Sequence, residues 1–119
     1  MSEQNLPTVA WKILSVADWK LLVAEGRYEG SPVDLADGYI HLSAADQLEA
    51  TASKHYAGQS DLMLVEVDLN VIADDVVWEP SRGGALFPHI YGVLPLSATR
   101  HPKPLSVTAD GQMVFAGND

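Results

Sequence analysis

The spacing of apolar residues alternates between the period of a strand and that of a helix over the first part of the chain. Residues 8–14 are mostly β-branched or apolar, which predicts a strand. Ser15 and Asp18 then form an S-x-x-D capping pattern ahead of apolar residues at helical spacing, and Gly26 marks the expected end of the helix. The sequence Gly-Ser-Pro at residues 30–32 predicts a turn rather than a further element.

A second strand and a second helix are predicted around the sequence GYIHLS, residues 38–43. Ser43 and Asp46 repeat the S-x-x-D pattern, so Ser43 is expected to cap this helix. The helix should run for about a dozen residues and end near Gly58. Both predicted helices therefore lie in the N-terminal half of the chain.

The second half of the chain is dominated by strand-like segments. Residues 61–72 are almost continuously apolar, which is typical of a central strand covered on both faces. Residues 75–79 and 87–92 predict two more strands, although Pro88 should confine the second to an edge, a strand start or a bulge. A two-residue Asp-Gly turn predicts a hairpin over about residues 104–116. Because these strands follow one another directly, the pattern indicates an α+β fold with a largely antiparallel sheet.

Size and composition narrow the class of protein further. A chain of 119 residues, 47% of them hydrophobic, suits one domain spanning residues 1–119 with a single core. Its net charge of −9 opposes binding to the phosphate backbone of a nucleic acid. The absence of cysteine excludes disulfides and thiolate chemistry. With no secretion-type leader and no membrane-length apolar run, we expect a cytoplasmic protein without a membrane partner, and its oligomeric state stays open.

Two histidines are predicted to lie on the polar faces of their strands. Alternation places His41 opposite the apolar Ile40, and His89 opposite Ile90. If both strands face one cleft, the histidines would form a ligand pocket. The alternative is that each histidine only makes structural hydrogen bonds within a half-buried sheet. The same strand faces would bring three further residues to the pocket, namely Ser43, Phe87 and Tyr91.

Further candidates for ligand contacts lie next to these strands. Glu79 follows Trp78 at a strand end, where a partly desolvated carboxylate can act as an acid, a base or an electrostatic stabiliser. Trp78 itself is counted among the ligand contacts. The start of the second helix offers backbone N–H groups to a phosphate, and Gln47 is placed to donate to the same ligand. Arg82 lies in the glycine-rich loop 81–84, which we expect to be mobile, and could contact a bound phosphate. A solvated helix residue, a strand-end charge and a surface cation are the ordinary alternatives for these positions.

A metal site is not expected. His41, His89 and Glu79 are residue types that bind zinc or iron, but they come from three distant segments with none of the usual zinc spacings. The chain also lacks the G-x-G-x-x-G, G-x-x-x-x-G-K-[ST] and G-x-S-x-G motifs. Rossmann, P-loop and α/β-hydrolase functions are therefore disfavoured.

The order of these motifs resembles a known family. DGYIHLS with a glutamine after it, then Trp-Glu, then FPHIYG followed by Leu-Pro, resemble the family called domain of unknown function 952 over about residues 8–100. The resemblance implies an ADP-ribosyltransferase-like fold, in which a split, largely antiparallel sheet surrounds an NAD-binding cleft. It implies no particular reaction, and NAD is the candidate substrate. The matching signature positions here are His41, Ser43, Gln47, Glu79, Phe87, Pro88, His89, Tyr91 and Gly92.

Lys12 is a departure from that fold group. Transferases of this fold usually carry a histidine on the first strand, and the matching region here offers Lys12 instead. A clear His-Tyr-Glu triad is also missing, so ordinary ADP-ribose transfer is not implied. Lys12 is nevertheless counted among the candidate ligand contacts.

Three functions remain open at this point. The first is an enzyme that cleaves or transfers at the ribosyl C1′ bond of NAD or an ADP-ribose-like ligand. There His41 or His89 would hold the ribose hydroxyls, Glu79 would stabilise the developing cation, and the helix start at Ser43 with Arg82 would anchor phosphates. The second is a module that binds or senses a nucleotide-like ligand without turnover. The third is a protein-interaction domain, favoured if the aromatic residues near the histidines form an exposed patch.

Overall fold

Three α-helices and nine β-strands make up the part of the chain that the structure, a computed structural model, describes, residues 6–80 and 84–115. The helices are α1 Val16–Glu25, α2 Pro32–Asp37 and α3 Leu48–Tyr56. The strands are β1 Val9–Ser15, β2 Arg27–Tyr28, β3 Ile40–His41, β4 Leu62–Asp68, β5 Val76–Pro80, β6 Leu86–Ile90, β7 Leu94–Pro95, β8 Thr99–Val107 and β9 Met113–Phe115. Arg82 lies outside the described residues, as does the rest of the loop predicted to be mobile except Gly84.

All strand pairs are antiparallel, which confirms the predicted α+β class with antiparallel sheets. One sheet has the order β1-β4-β8-β9, a second has the order β3-β6-β5, and β2 pairs with β7. The two larger sheets meet at Ser43, whose backbone exchanges hydrogen bonds of 2.8 and 2.9 Å with Trp11 of β1. We call the β1-β4-β8-β9 sheet the larger sheet and the β3-β6-β5 sheet the smaller sheet. The smaller sheet carries both histidine motifs and is attached through Ser43 to β1, the edge strand of the larger sheet.

β4 is the central strand that its continuous apolar sequence predicts. It lies between β1 and β8 and is buried over most of its length. Met63 and Val65 face one buried cluster with α1 and the smaller sheet, whereas Leu62 and Leu64 face a second cluster with α3. A strand that packs on both faces gains from apolar side chains at every position. The expected single core is therefore two clusters, one on each side of the larger sheet.

α1 begins and ends where the sequence predicts. The Oγ of Ser15 accepts the N–H of Asp18 at 3.0 Å. Gly26 adopts a φ of +79° and donates its N–H to the carbonyl of Leu22 at 2.7 Å. This left-handed position satisfies an end carbonyl, and glycine adopts it without a Cβ clash.

α2 was not predicted, so the expectation of two helices is wrong. Ser31 caps this helix, because its Oγ accepts the N–H of Asp34 at 3.2 Å while Asp34 Oδ2 accepts the N–H of Ser31 at 2.9 Å. Pro32 occupies the first turn, where its missing N–H removes no helical hydrogen bond. The residues that were interpreted as a turn are therefore a capping box.

Ser43 does not cap the helix that follows it, contrary to the prediction. The chain first makes a 3-10 turn over Ala45–Gln47, and Ser43 Oγ bonds to Thr51 Oγ1 at 2.8 Å. The N–H group of Ala44, just before the turn, donates instead to the side-chain oxygen of Gln47 at 2.9 Å. The turn begins at Ala45 with Ala44 as its flanking residue, so Ser43 lies one position too early to cap it.

Pro88 lies inside the central strand of the smaller sheet, not at an edge as predicted. Its carbonyl accepts the N–H of Leu42 at 3.1 Å, just beyond the end of β3. The N and O of a residue in an antiparallel strand point to the same side. The missing N–H of Pro88 therefore faces the end of β3, and the pairing with β5 loses no hydrogen bond.

The C-terminal hairpin of β8 and β9 is present, but its predicted two-residue turn is wrong. Thr108 donates its N–H to the carbonyl of Gln112 at 2.9 Å, which leaves three residues in the loop. Gly111 takes a φ of +89° at the third loop position, as three-residue hairpins require.

The helices in residues 6–80 and 84–115 were compared with the length and hydrophobicity that a membrane span requires. None of the α-helices there is long and apolar enough to cross a bilayer.

Candidate functional site

The outward face of the β3-β6-β5 sheet carries both histidines. His41 pairs with His89 across β3 and β6, and their ring centroids are 5.6 Å apart. Ile40 and Ile90 point the other way and are buried in the core, as alternation predicts. The expectation that the two histidines lie together is confirmed. We refer to this surface as the histidine face, made up of Tyr39, His41, Val77, Glu79, Phe87, His89 and Tyr91.

Glu79 and His89 form a hydrogen-bonded pair within this face. The Oε1 of Glu79 lies 2.7 Å from Nδ1 of His89, and the hydroxyl of Tyr91 donates to the same oxygen at 2.7 Å. A carboxylate only accepts hydrogen bonds, so Nδ1 carries the hydrogen. In the neutral ring, the lone pair then resides on Nε2, the form of histidine that accepts a proton.

These hydrogen bonds keep Glu79 ionised. The bond from His89, followed by that from Tyr91, lowers the pKa of Glu79 from its ordinary value. The same carboxylate raises the pKa of Tyr91 to about 12. At neutral pH Glu79 is therefore a carboxylate and Tyr91 a phenol, which suits Glu79 to electrostatic stabilisation and not to proton donation.

The Nε2 of His89 is left without a partner by the described residues. The His89 side chain is only 8% exposed, and its one hydrogen bond runs through Nδ1. No buried side-chain nitrogen or oxygen in the described ranges is both sealed from solvent and unbonded, and no hydrogen bond from these residues reaches Nε2. A nearly buried imidazole with an open ring nitrogen is a binding position for a proton, a hydroxyl or a ligand atom.

Tyr39 covers the flat side of His89. The two rings are stacked with centroids 4.0 Å apart, and the Tyr39 ring also lies 4.8 Å from that of His41 and 5.2 Å from that of Tyr91. Four rings thus pack edge to face or face to face on one sheet surface. This packing restricts the rotation of both imidazoles.

His41 is held between two aspartates of α2. Its Nδ1 lies 2.6 Å from Oδ1 of Asp34, and its Nε2 lies 2.9 Å from Oδ2 of Asp37. Asp34 is buried and also accepts the backbone N–H of His41 at 3.1 Å, whereas the Asp37 side chain is 47% exposed. Asp34 therefore fixes the ring from below, and Asp37 is the partner that a ligand can displace.

Lys12 lies beneath His41 and pairs with Asp34. Its Nζ is 3.0 Å from Asp34 Oδ2 and 3.0 Å from the carbonyl of His41, and both charged side chains are buried. Burial lowers the pKa of Lys12, although Asp34 opposes this effect. Burial also raises the pKa of Asp34, but His41, Lys12 and the N–H of Ser31 outweigh it and hold that pKa well below its usual range. Lys12 consequently supports the site from inside and presents no charge to a ligand at the surface.

The remaining predicted site residues are distributed differently. Trp78 pairs with Pro88 on the opposite side of the sheet and packs against the core, so it is separated from the histidine face. Phe87 lies on the face beside Glu79 and is half-buried. Gln47 uses both ends of its amide internally, since its Nε2 donates to the carbonyl of Leu86 at 2.6 Å. The predicted role of Arg82 lies outside the described residues.

At the helix start proposed as a phosphate site, two backbone N–H groups already have hydrogen-bond partners within the chain. The N–H of Ala44 binds Gln47, and the N–H of Gln47 binds the carbonyl of Ala44. Ser43 is committed to Thr51. Two N–H groups of the expected anchor next to His41 are therefore not free for a phosphate, because the side chain of Gln47 caps the turn.

The site residues chosen from the sequence did not include three residues that surround the histidines: Asp34, Asp37 and Tyr39. Ser31 and Asp34 show the same S-x-x-D pattern that identified α1, with a proline at the position where helices tolerate it. That signal would have predicted α2 and placed its acidic residues just before His41. Tyr39 shares the strand parity of His41, which alone puts the two side chains on one face.

Two grooves in the described part of the chain lie away from the histidine face. One groove is lined by residues of β1 and the 3-10 turn, and another by residues of the β4-β5 connection. No cluster of three or more His, Asp or Glu side chains in residues 6–80 and 84–115 is arranged to hold a metal ion. The chemistry that the face offers is that of two imidazoles, carboxylates and phenols.

Solved structures of one bacterial protein are similar to this chain. A crystal structure of protein CC0527 from Caulobacter crescentus shares 48% identity and a TM-score of 0.84, covering 90% of this chain and 94% of that chain. A crystal structure of a double mutant of the same protein shares 47% identity and a TM-score of 0.84, with the same coverage of both chains. Its solution NMR structure shares 48% identity and a TM-score of 0.76, covering 88% of this chain and 90% of that chain.

Family membership follows from a match that spans most of the chain. The comparison with curated proteins found no match. The family model described as "Protein of unknown function (DUF952)" matches residues 13–101, a range that contains Glu79 and both histidines of the site. The chain therefore belongs to the DUF952 family.

Proposed function

We propose that the histidine face is an acid–base catalytic site that acts at the ribosyl C1′ bond of NAD or an ADP-ribose-like ligand. The observation that carries the proposal is the Glu79–His89 pair, with 2.7 Å between Oε1 and Nδ1 and an Nε2 that no described residue binds. A carboxylate that orients an imidazole in this way leaves the other nitrogen free to accept a proton. The substrate class comes from the ADP-ribosyltransferase-like fold that the motifs imply, and the antiparallel sheets support it. A cytoplasmic location, expected from the sequence, belongs to the same proposal.

The chemistry needs a stabilised cation and a base. When the C1′–N bond breaks, its electron pair leaves with the base and positive charge develops on the ribose. Glu79, held ionised by its hydrogen bonds, stabilises that charge. The Nε2 of His89 accepts the proton of the attacking water or acceptor hydroxyl. Glu79 and His89 are thus the catalytic residues of the proposal.

His41 and its neighbours position the ligand. The ring of His41 is more open than that of His89, with 37% of its side chain exposed. A ribose hydroxyl binds Nε2 of His41 by replacing the exposed Asp37, while Asp34 and Lys12 keep the ring in place from inside. Phe87 and Tyr91 border the ligand, and the contact of Arg82 with a phosphate stays a prediction.

A binding module without turnover is the alternative, and the openness of the face favours it. Tyr91 is 45% exposed and Val77 42% exposed. Catalysis through a charged transition state gains from the exclusion of water, which an open sheet surface provides less well than a closed cleft.

The test is release of nicotinamide from NAD, followed by mass spectrometry, together with the thermal shift that NAD produces. His89→Gln and Glu79→Gln should each lower the rate by about 100-fold or more. The matched controls are His101→Asn and Glu49→Gln, at exposed positions outside the face, and these should keep the rate. Asparagine is used at His101 because its φ of +53° is one that asparagine tolerates.

Each other outcome has a defined meaning. A thermal shift without release supports the binding module. The absence of both, or release that is unchanged in His89→Gln and Glu79→Gln, rejects the catalytic site.

A further inference from the structure

The charge around the histidine face is negative. Glu79 is ionised, and Asp37 adds a half-exposed carboxylate on the other side of the histidines. None of the six Lys and Arg residues in the described ranges is a member of the face, and Arg82 lies outside those ranges. Lys12, which lies beneath the face, is buried against Asp34. Within the described residues, no lysine or arginine at this surface is free to bind a phosphate, and both ring nitrogens of His41 are already paired with Asp34 and Asp37.

The aromatic residues of the face add a second, independent preference for a cation. The rings of Tyr39 and Tyr91 have centroids 5.2 Å apart, and Tyr91 is 45% exposed. The face of a phenol ring carries negative potential and attracts cations, most strongly where carboxylates border it. A flat aromatic cation can stack on such rings while its charge faces Glu79 and Asp37.

The proposed proton acceptor, Nε2 of His89, lies on the same face as these carboxylates and tyrosine rings. The His89 side chain is more than nine-tenths buried, and Nε2 has no partner among the described residues. Glu79 binds the opposite side of the same ring. The proton acceptor and the cation-stabilising carboxylate therefore lie at the surface that attracts a cation.

We propose that the substrate is a cationic N-riboside, recognised through its positively charged base and its ribose without its phosphates. N-ribosylnicotinamide is the simplest compound of this class. The inference rests on the proposed C1′ chemistry and restricts its substrate. Binding of a phosphate next to Glu79 and Asp37 is opposed by like charge.

The reaction is balanced with water alone. The C1′–N bond breaks and its electron pair neutralises the pyridinium, which leaves as nicotinamide. Water forms the new C1′–O bond and gives one proton to Nε2 of His89, from which it passes to solvent. The products are ribose, nicotinamide and a proton, and no oxidant or reductant takes part.

The experiment compares four ligands that separate the effect of the cation from that of the phosphates. Nicotinamide riboside has the cation and no phosphate, NAD⁺ has both, and NADH and ADP-ribose have phosphates without the cation. We expect kcat/KM for nicotinamide riboside within about tenfold of that for NAD⁺. NADH and ADP-ribose should inhibit either reaction at least about tenfold more weakly than the substrates bind.

Two variants test whether the negative charge of Asp37 contributes to substrate binding. Asp37→Asn should raise KM for nicotinamide riboside by about five- to tenfold. Asp61→Asn is the control, since Asp61 is exposed at the start of β4 and its φ of +58° is one that asparagine tolerates.

The outcomes distinguish this inference from the function on which it rests. Turnover of NAD⁺ with nicotinamide riboside more than about 100-fold poorer overturns the inference and leaves the proposed function standing. An Asp37→Asn variant with unchanged KM also overturns it. The absence of turnover and binding for all four ligands overturns both.

Discussion

Replacement of Lys12 by methionine tests whether the buried pair with Asp34 supports the site. Methionine keeps the apolar length of the lysine side chain and removes only the charge and the donors. Asp34, which is 2% exposed, would then be a buried carboxylate without its cation. Burial of an unpaired charge costs far more than the pair itself contributes.

The expected magnitude follows from what Asp34 retains. Removal of one partner of a buried pair destabilises a protein by about 3–5 kcal/mol. Asp34 keeps three other hydrogen bonds, from the N–H of Ser31 and from the N–H and ring of His41. We therefore expect the lower end, about 3 kcal/mol. For a chain of 119 residues this lowers Tm by about 10–15 °C.

Urea unfolding at neutral pH measures this change directly. A lower midpoint with an unchanged slope reports a loss of stability and not a different unfolded state. Lys54→Met is the matched control, because Lys54 is exposed on α3, and its free energy of unfolding should change by less than about 0.5 kcal/mol.

A double variant identifies the source of the loss. Lys12→Met combined with Asp34→Asn replaces the unpaired carboxylate with a neutral amide, so it should be more stable than Lys12→Met by about 1–2 kcal/mol. If Lys12→Met costs less than about 1 kcal/mol, or if the double variant recovers nothing, the charge pair does not support the site as argued.

Three further predictions concern titration and backbone geometry. The pKa of Asp34 is lower in the folded state, so its contribution to stability is complete above the unfolded pKa near about 4 and declines as the pH falls towards the folded pKa. The stability difference between wild type and Asp34→Asn should thus be constant at mildly acidic pH and shrink below about pH 4; a constant difference at all pH values contradicts it. Glu79→Gln should move the pKa of Tyr91 from about 12 towards its ordinary value, read as tyrosinate absorbance against a Tyr91→Phe background. Gly30→Ala should lower Tm more than Gly26→Ala, because both have positive φ but only at Gly30 would a Cβ lie 2.7 Å from the Cβ of Asp34.

Local periodicity was sufficient to predict most of the histidine face. His41 and His89 share a face because each alternates with a buried isoleucine, and no long-range information is needed for that inference. The same rule would have separated Trp78 from Glu79, since neighbours in a strand point to opposite sides. That Trp78 was assigned to the site reflects proximity in sequence, which parity should have overruled.

The parts that could not be predicted depend on tertiary pairing. Ser43 has the sequence of a helix cap, but its backbone is taken by Trp11, which is 32 positions earlier in the chain. The burial of Asp34, on α2, depends on Lys12 reaching it from β1. Helix and strand propensities predict neither the pairing of Ser43 with Trp11 nor the contact of Lys12 with Asp34, because both depend on how the sheets and α2 pack.

The placement of Glu79, His89 and Tyr91 on one hairpin, β5 and β6 with the residue that follows, has a consequence for folding kinetics. Pairs within this hairpin are at most 14 residues apart in sequence, whereas the β1–β4 ladder joins residues 47 to 59 apart. Hairpins form in about 1–10 μs, and ladders of high sequence separation close much more slowly. The Glu79–His89 geometry can therefore be sampled early, and the long-range ladder sets the rate at which the larger sheet completes the domain.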